Sequence, residues 1–316
     1  MPAPRPHCQH VGAQERTIAT IGLPTSENAS RPVSTRGGTE AAIQHHYDLS
    51  NAFYALWLDE TLTYSCGLWR DGDDPDDLLA AQRRKIDYHL QAAGISHARH
   101  VLDIGCGWGG LLEQALTYKQ LETATGLTLS EAQFQHIAAR ARAGLEVRKE
   151  SWIWHQPRHK YGSILSIGAF EHFASPGDTA AEKVGIYREF FHKCRSWLEP
   201  DGAMSLQTIV YGTMRPDEAN EFISTQIFPD SELPQPHEIL EATSGLFEVT
   251  LLRNDRVQYS QTCRLWYQNL RRRRAEAVAI VGEDKVSQYE KFLRVSTFGF
   301  DTGRVGLLRL VLVPTV

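Results

Sequence analysis

The stretch VLDIGCGWGG, Val101–Gly110, constrains this chain more than any other. A short apolar run leads to Asp103, and Gly105, Gly107, Gly109 and Gly110 then follow within six residues. The run reads as a buried strand, and the glycines let the backbone take positive φ and let a ligand come close. The rest of the chain repeats the pattern. ETATGLTLS, SILSIGA and GAMSLQTIV read as further strands, while GLLEQALTY, EAQFQHIAARARAG and VGIYREFFHKCRSWL read as helices between them. Such alternation predicts an α/β fold with a parallel, doubly wound sheet, whose ligand crevice lies beyond the strand C-termini. FEVTLLRND, a helical Tyr259–Ala279 region and GLLRLVLVP predict an antiparallel end of that sheet with an inserted helical cap.

Residues 1–37, rich in Pro, Ser, Arg and Gly, are expected to form a mobile leader to a single domain over 38–316. That domain divides into N-terminal helices over 38–98, a core over 99–210, and lid, cap and C-terminal strands over 211–316. In the N-terminal part Phe53, Leu56 and Trp57 recur at helical spacing. DGDDPDD then precedes a second helix, its acids suited to the positive end of a helix dipole rather than to a calcium loop.

With a net charge of -5 and no broadly basic segment, the chain is not expected to bind nucleic acid. Arg271–Arg274 read as a solvated helical face with carboxylate partners. Five cysteines without CxxC spacing suit free thiols in a reducing compartment. The sequence carries no 18-residue apolar run and no signal-like apolar core, so no transmembrane segment and a cytoplasmic location are expected. A homo-oligomer stays open.

The turn itself narrows the ligand. GCGWGG places glycines at the GxGxxG positions, but the second strand ends in GLTLS without the acid that would hold a dinucleotide ribose, which argues against NAD. The DIGCGWGG form instead resembles the S-adenosylmethionine site of Rossmann-like class I methyltransferases. Four ordered stretches carry the likeness further: HYDLSNAFYALWLDETLTYSCGLW, VLDIGCGWGG, GLTLSEAQ and SIGAFEHF. Together with YSQTCRLW they resemble the cyclopropane fatty acid and mycolic acid cyclopropane synthases, from about residue 40 to the C-terminus.

That resemblance implies S-adenosylmethionine as cofactor, held by Tyr64, Ser65, Asp103, Gly105, Gly107, Thr128, Leu129, Gln133, Trp152 and Ile167. Ile153 stands where the family often has an acid that contacts adenine. It also implies a bicarbonate-binding active site at Cys66, Glu171, Ile209 and Tyr259. The family's fifth residue, a histidine, is Gln207 here, which cannot take up a proton at neutral pH. His172, beside Glu171, joins the catalytic candidates.

In that family the π electrons of an alkene attack the methyl group, and a base removes a proton from the resulting cation. Such chemistry explains why ILSIGAFEHF, Ile164–Phe173, runs a carboxylate out of the core between aromatic rings. A fixed carboxylate in a water-poor pocket stabilises the cation and accepts its proton, and Phe170 and Phe173 exclude water. VYGTMRPDEANEFISTQIFPDSELP is short and polar for a lid, which favours a small hydrophobic or amphipathic substrate over a membrane phospholipid. The expectation is a C-methyltransferase acting on an isoprenoid such as a prenyl diphosphate, with arginines of CRLWYQNLRRRR and Mg2+ meeting the diphosphate. The alternatives are a cyclopropane synthase on an unsaturated acyl chain, an N- or O-methyltransferase, and a non-catalytic cofactor-binding subunit.

Overall fold

The computed structural model describes residues 50–218, 227 and 231–315, so the expected leader, residues 38–49 and much of the expected lid lie outside the described residues. Seven strands form one sheet: β1 (His100–Ile104), β2 (Thr123–Thr128), β3 (Leu145–Lys149), β4 (Tyr161–Ile167), β5 (Leu198–Tyr211), β6 (Phe247–Asn254) and β7 (Val305–Pro314). Their order is β3-β2-β1-β4-β5-β7-β6. The first five are parallel, and β7 enters antiparallel between β5 and β6. The sequence reading missed β3. Its residues are only half-buried and the strand carries alternating charge, as suits a sheet edge.

The tips of the central parallel strands β1, β2 and β4 point into one crevice, as the strand order requires. Along them run α2 (Leu78–Ala92), α3 (Gly110–Ala115), α4 (Glu131–Ala138) and α5 (Ala180–Trp197). Local chemistry sets where these begin. Asp77 caps α2 by accepting from the Ala80 N–H at 2.9 Å, so the acidic run does serve a helix start. Thr179 and Glu182 close a reciprocal capping box on α5, four residues earlier than the apolar spacing alone places the helix.

The N-terminal helix expected from Phe53, Leu56 and Trp57 is only the short α1 (Asn51–Tyr54). The rings are spaced by packing, not by a long helix. Trp57 meets Tyr64 at 5.2 Å and Trp266 at 5.7 Å, and Phe53 meets Tyr289 at 5.1 Å. Trp266 and Tyr289 belong to the cap, which consists of α7 (Arg256–Arg272), α8 (Arg274–Val281) and α9 (Glu283–Asp301); α6 (Pro236–Thr243) precedes β6. The cap extends well past Ala279, because α9 turns Val286, Tyr289 and Leu293 inward at helical spacing.

Arg271 and Arg274 share Glu290, Arg273 pairs with Glu276, and Arg274 also reaches Glu283. The basic run is thus a paired helical face. Among the described residues no helix is long and apolar enough to cross a membrane.

Candidate functional site

Two cavities open at the strand tips. The smaller, about 170 Å³, lies over β1, β2 and β4 and is lined by all ten residues expected to hold the cofactor. Those ten are Tyr64, Ser65, Asp103, Gly105, Gly107, Thr128, Leu129, Gln133, Trp152 and Ile167. Gly105 takes φ +81, and a Cβ there would collide with the Cβ of Ala169. Gly105→Ala is therefore expected to unfold more easily by about 2 kcal/mol or more, read as a lower urea midpoint at unchanged m-value. Thr128 donates to Gln133 Oε1 at 2.7 Å, which fixes the start of α4 against the tip of β2. Trp152 packs against Phe173 and Phe190 at 5.2 and 5.3 Å. Asp103 is buried, its Oδ1 has no hydrogen-bond partner among the described residues, and burial pushes its carboxyl up to about 7.

Sequence reading missed three charged residues of this wall, Lys85, Glu150 and Glu189. Lys85 lies within the amphipathic pattern of α2 and gave no signal. Glu150 stands three residues before Ile153, and His155 sits against its carboxylate at 2.7 Å.

The larger cavity, about 1030 Å³, is bounded by the 3-10 turn Phe170–His172, the end of β5 and the cap. Its apolar lining includes Ile209, Leu233, Trp266, Phe292 and Phe300. Tyr64, Gly168 and His172 line both cavities, so the two meet there. Glu171, 6% exposed, enters the larger one. Its Oε1 accepts the Ile209 N–H at 2.6 Å, while its Oε2 is buried without a hydrogen-bond partner among the described residues. Burial pushes this carboxyl up to about 7, against the pull of the Ile209 N–H. His172 Nδ1 lies 2.8 Å from Ser231 Oγ, and burial pushes its imidazole down to about 4, so it is neutral near pH 7. Tyr259 lines the same cavity with its ring stacked on Phe300 at 4.5 Å.

The structure separates Cys66 and Gln207 from the other candidates, for both are absent from the lining of either cavity. They belong to a buried polar cluster around Arg309, which is fully buried in β7. Arg309 donates to Gln207 Oε1 at 2.9 Å and to the Gly67 carbonyl at 3.0 Å, and pairs with Asp255. His89 Nε2 lies 3.3 Å from the same Gln207 oxygen, and burial holds its imidazole well below the usual range. Burial also raises the Cys66 thiol to about 12, so it is no thiolate nucleophile. The arginines of CRLWYQNLRRRR line neither cavity.

A mixed sheet in this order, with a glycine turn at the tip of β1 opening onto a cavity, defines a class I S-adenosylmethionine-dependent methyltransferase. The chain belongs to the mycolic acid cyclopropane synthetase family, whose model matches residues 35–310. Cyclopropane mycolic acid synthase MmaA2 of Mycobacterium tuberculosis is 33% identical over 270 residues, which cover 79% of this chain and 89% of that one. The solved structure of the cyclopropane synthase MmaA2 superposes with a TM-score of 0.77 at 29% identity, over 88% of this chain and 99% of that one. Mycolic acid cyclopropane synthase CmaA1, complexed with SAH and CTAB, gives 0.77 at 31% identity, over 87% and 98%.

The residues present fit S-adenosylmethionine. An orphaned buried carboxyl at Asp103 faces the cavity, and the missing Cβ of Gly107 leaves open space beside it.

Proposed function

We propose that this enzyme methylates an isolated carbon-carbon double bond in a lipid-like unsaturated acyl chain and closes a cyclopropane there. One observation carries the reading: Glu171 presents a buried, unpartnered carboxylate oxygen to an apolar cavity that joins the cofactor cavity. When bound, S-adenosylmethionine supplies an electrophilic methyl group. The acyl chain lies along Ile209, Phe292 and Phe300, with its double bond brought to the junction at Tyr64, Gly168 and His172. As the alkene forms its new C–C bond, positive charge appears on the neighbouring carbon. Glu171 stabilises that charge, and it does so strongly because water is excluded and its position is fixed by the Ile209 N–H. The same carboxylate takes the proton lost from the new methyl carbon, whose C–H electrons close the ring. The surrounding aromatic rings offer π faces to the cation.

Bicarbonate has no part in this proposal, since Cys66 and Gln207, two of its five expected positions, line neither cavity. The second reading is C-methylation of a prenyl diphosphate. Its support is no longer the Arg271–Arg274 run but Lys291, Arg294 and Arg304, which line the larger cavity. Magnesium would then rest on the diphosphate, because no group of three or more His, Cys, Asp and Glu that could hold a metal occurs among the described residues.

The test is transfer of label from S-adenosylmethionine to unsaturated phospholipids and free unsaturated fatty acids, against prenyl diphosphates, followed by product NMR. Upfield cyclopropane protons in an acyl product support the proposal. Label confined to prenyl diphosphates, with a vinylic methyl signal, replaces it by the second reading. Label on nitrogen or oxygen of an added amine or alcohol removes both.

A further inference from the structure

The smaller cavity contains a buried cation that the cofactor residues expected from the sequence leave out. Lys85 comes from α2, is 2% exposed and lines that cavity. Its ammonium donates to Ser65 Oγ at 2.8 Å. No carboxylate lies within ion-pairing distance of it among the described residues, and burial lowers it to about 8. An ammonium carries three donors, so two remain for a ligand. Asp103 lines the same cavity with its orphaned Oδ1; it and Lys85 attract each other across the wall without a salt-bridge contact. A buried charge left unpaired is expensive. Two of opposite sign on one wall fit a ligand that itself carries adjacent positive and negative groups.

The sheet fixes which end of the ligand this is. Asp103 stands at the tip of β1, whereas Glu150 and Trp152 follow β3, two strands away and so about 10 Å across the sheet. The α2 helix lies on the opposite side, toward β5, where its His89 reaches Ser205 at 2.8 Å. The charged pair therefore sits at one end of the cavity, with room for a flat base at the other.

We propose that Lys85, together with the Ser65 hydroxyl, binds the carboxylate of the amino-acid end of S-adenosylmethionine, while Asp103 faces its ammonium. The inference rests on S-adenosylmethionine being the cofactor. Anchored there, the sulfur falls between the charged end and the base, beside the junction of the two cavities. Lys85 is a binding residue for the cofactor and takes no part in moving the substrate proton.

The test is calorimetric binding of three probes to the full chain: S-adenosylhomocysteine, its decarboxylated analogue, and 5′-methylthioadenosine, which lacks the amino-acid end. In the wild type, S-adenosylhomocysteine should bind at least roughly tenfold more tightly than the decarboxylated analogue, as loss of a charge-assisted hydrogen bond implies. Equal binding overturns the proposal without any variant. Lys85→Met should weaken S-adenosylhomocysteine by roughly ten- to a hundredfold and leave the other two within about twofold. Equal weakening of all three probes would show a merely structural lysine and overturn it, as would no weakening at all. Lys85→Arg, which keeps the charge, should recover most of the lost affinity. Wild-type protein that binds none of the probes would instead strike down the cofactor assignment beneath the inference.

Discussion

Replacing Glu171 by glutamine is expected to remove turnover and to stabilise the protein in the same step. The amide keeps the shape of the side chain and can still accept the Ile209 N–H. It can neither balance a cation nor take a proton, so kcat should fall by roughly a hundred- to ten-thousandfold. The stability gain follows from burial, which raises the carboxyl from 4.5 to about 7. Below pH 4.5 the group is protonated whether the chain is folded or not, and its burial carries no charge penalty. As pH rises through about 7 the folded protein must hold a buried anion, and that share of stability, about 3 kcal/mol, is lost. Glu171→Gln should thus melt above the wild type at pH 8, with the gap closing near pH 4.5. Wild-type kcat should climb through about pH 7, as the base ionises. Thermal melts at both pH values and a rate profile between pH 5.5 and 8.5 decide it. A variant that turns over normally, or that melts below wild type at pH 8, would refute the role given to Glu171.

Arg309→Met should cost the fold more than any change at the cavity surface. The guanidinium is wholly buried, and its partners include Asp255, itself 7% exposed, Gln207 and the Gly67 carbonyl. Removing it leaves the buried Asp255 carboxylate with Arg253 alone as an ion-pair partner and takes the donors from Gln207 and the Gly67 carbonyl. The expected loss is about 3 to 5 kcal/mol in urea unfolding. The double variant Arg309→Met with Asp255→Asn should regain part of that, because the half-paired buried charge goes too, although its bond to Arg253 is weakened with it. A single-variant loss under about 1 kcal/mol would mean that water reaches the cluster and that it is less sealed than its burial indicates.

The fold was largely legible because most of its strands are buried on both faces and so appear as short apolar runs between helices. The two exceptions have separate causes. β3 lies at the sheet edge with only half-buried residues, so LEVRK carries no apolar run. In α1 the ring spacing mimics a helix, while the rings in fact answer to Trp266 and Tyr289, more than two hundred residues on.

The site divides the same way. Residues on strand tips and turns could be placed because the sheet forces those tips together. Cys66 and Gln207 could not, because the side chain of Arg309 draws Gln207 away from the cavities, and nothing in QTI announces a partner on β7. Lys85 was hidden for the opposite reason: a lysine in a helix of mixed polarity reads as solvated.

Glu171 is steadied by a main-chain N–H, a group that every residue except proline brings to position 209. The anchoring of this carboxylate therefore does not depend on which side chain position 209 carries. Gln207 can be drawn to a guanidinium from across the sheet while the acid keeps the same anchor. The lining of the larger cavity can change while the anchored acid, to which the proposal gives the cation, stays where it is.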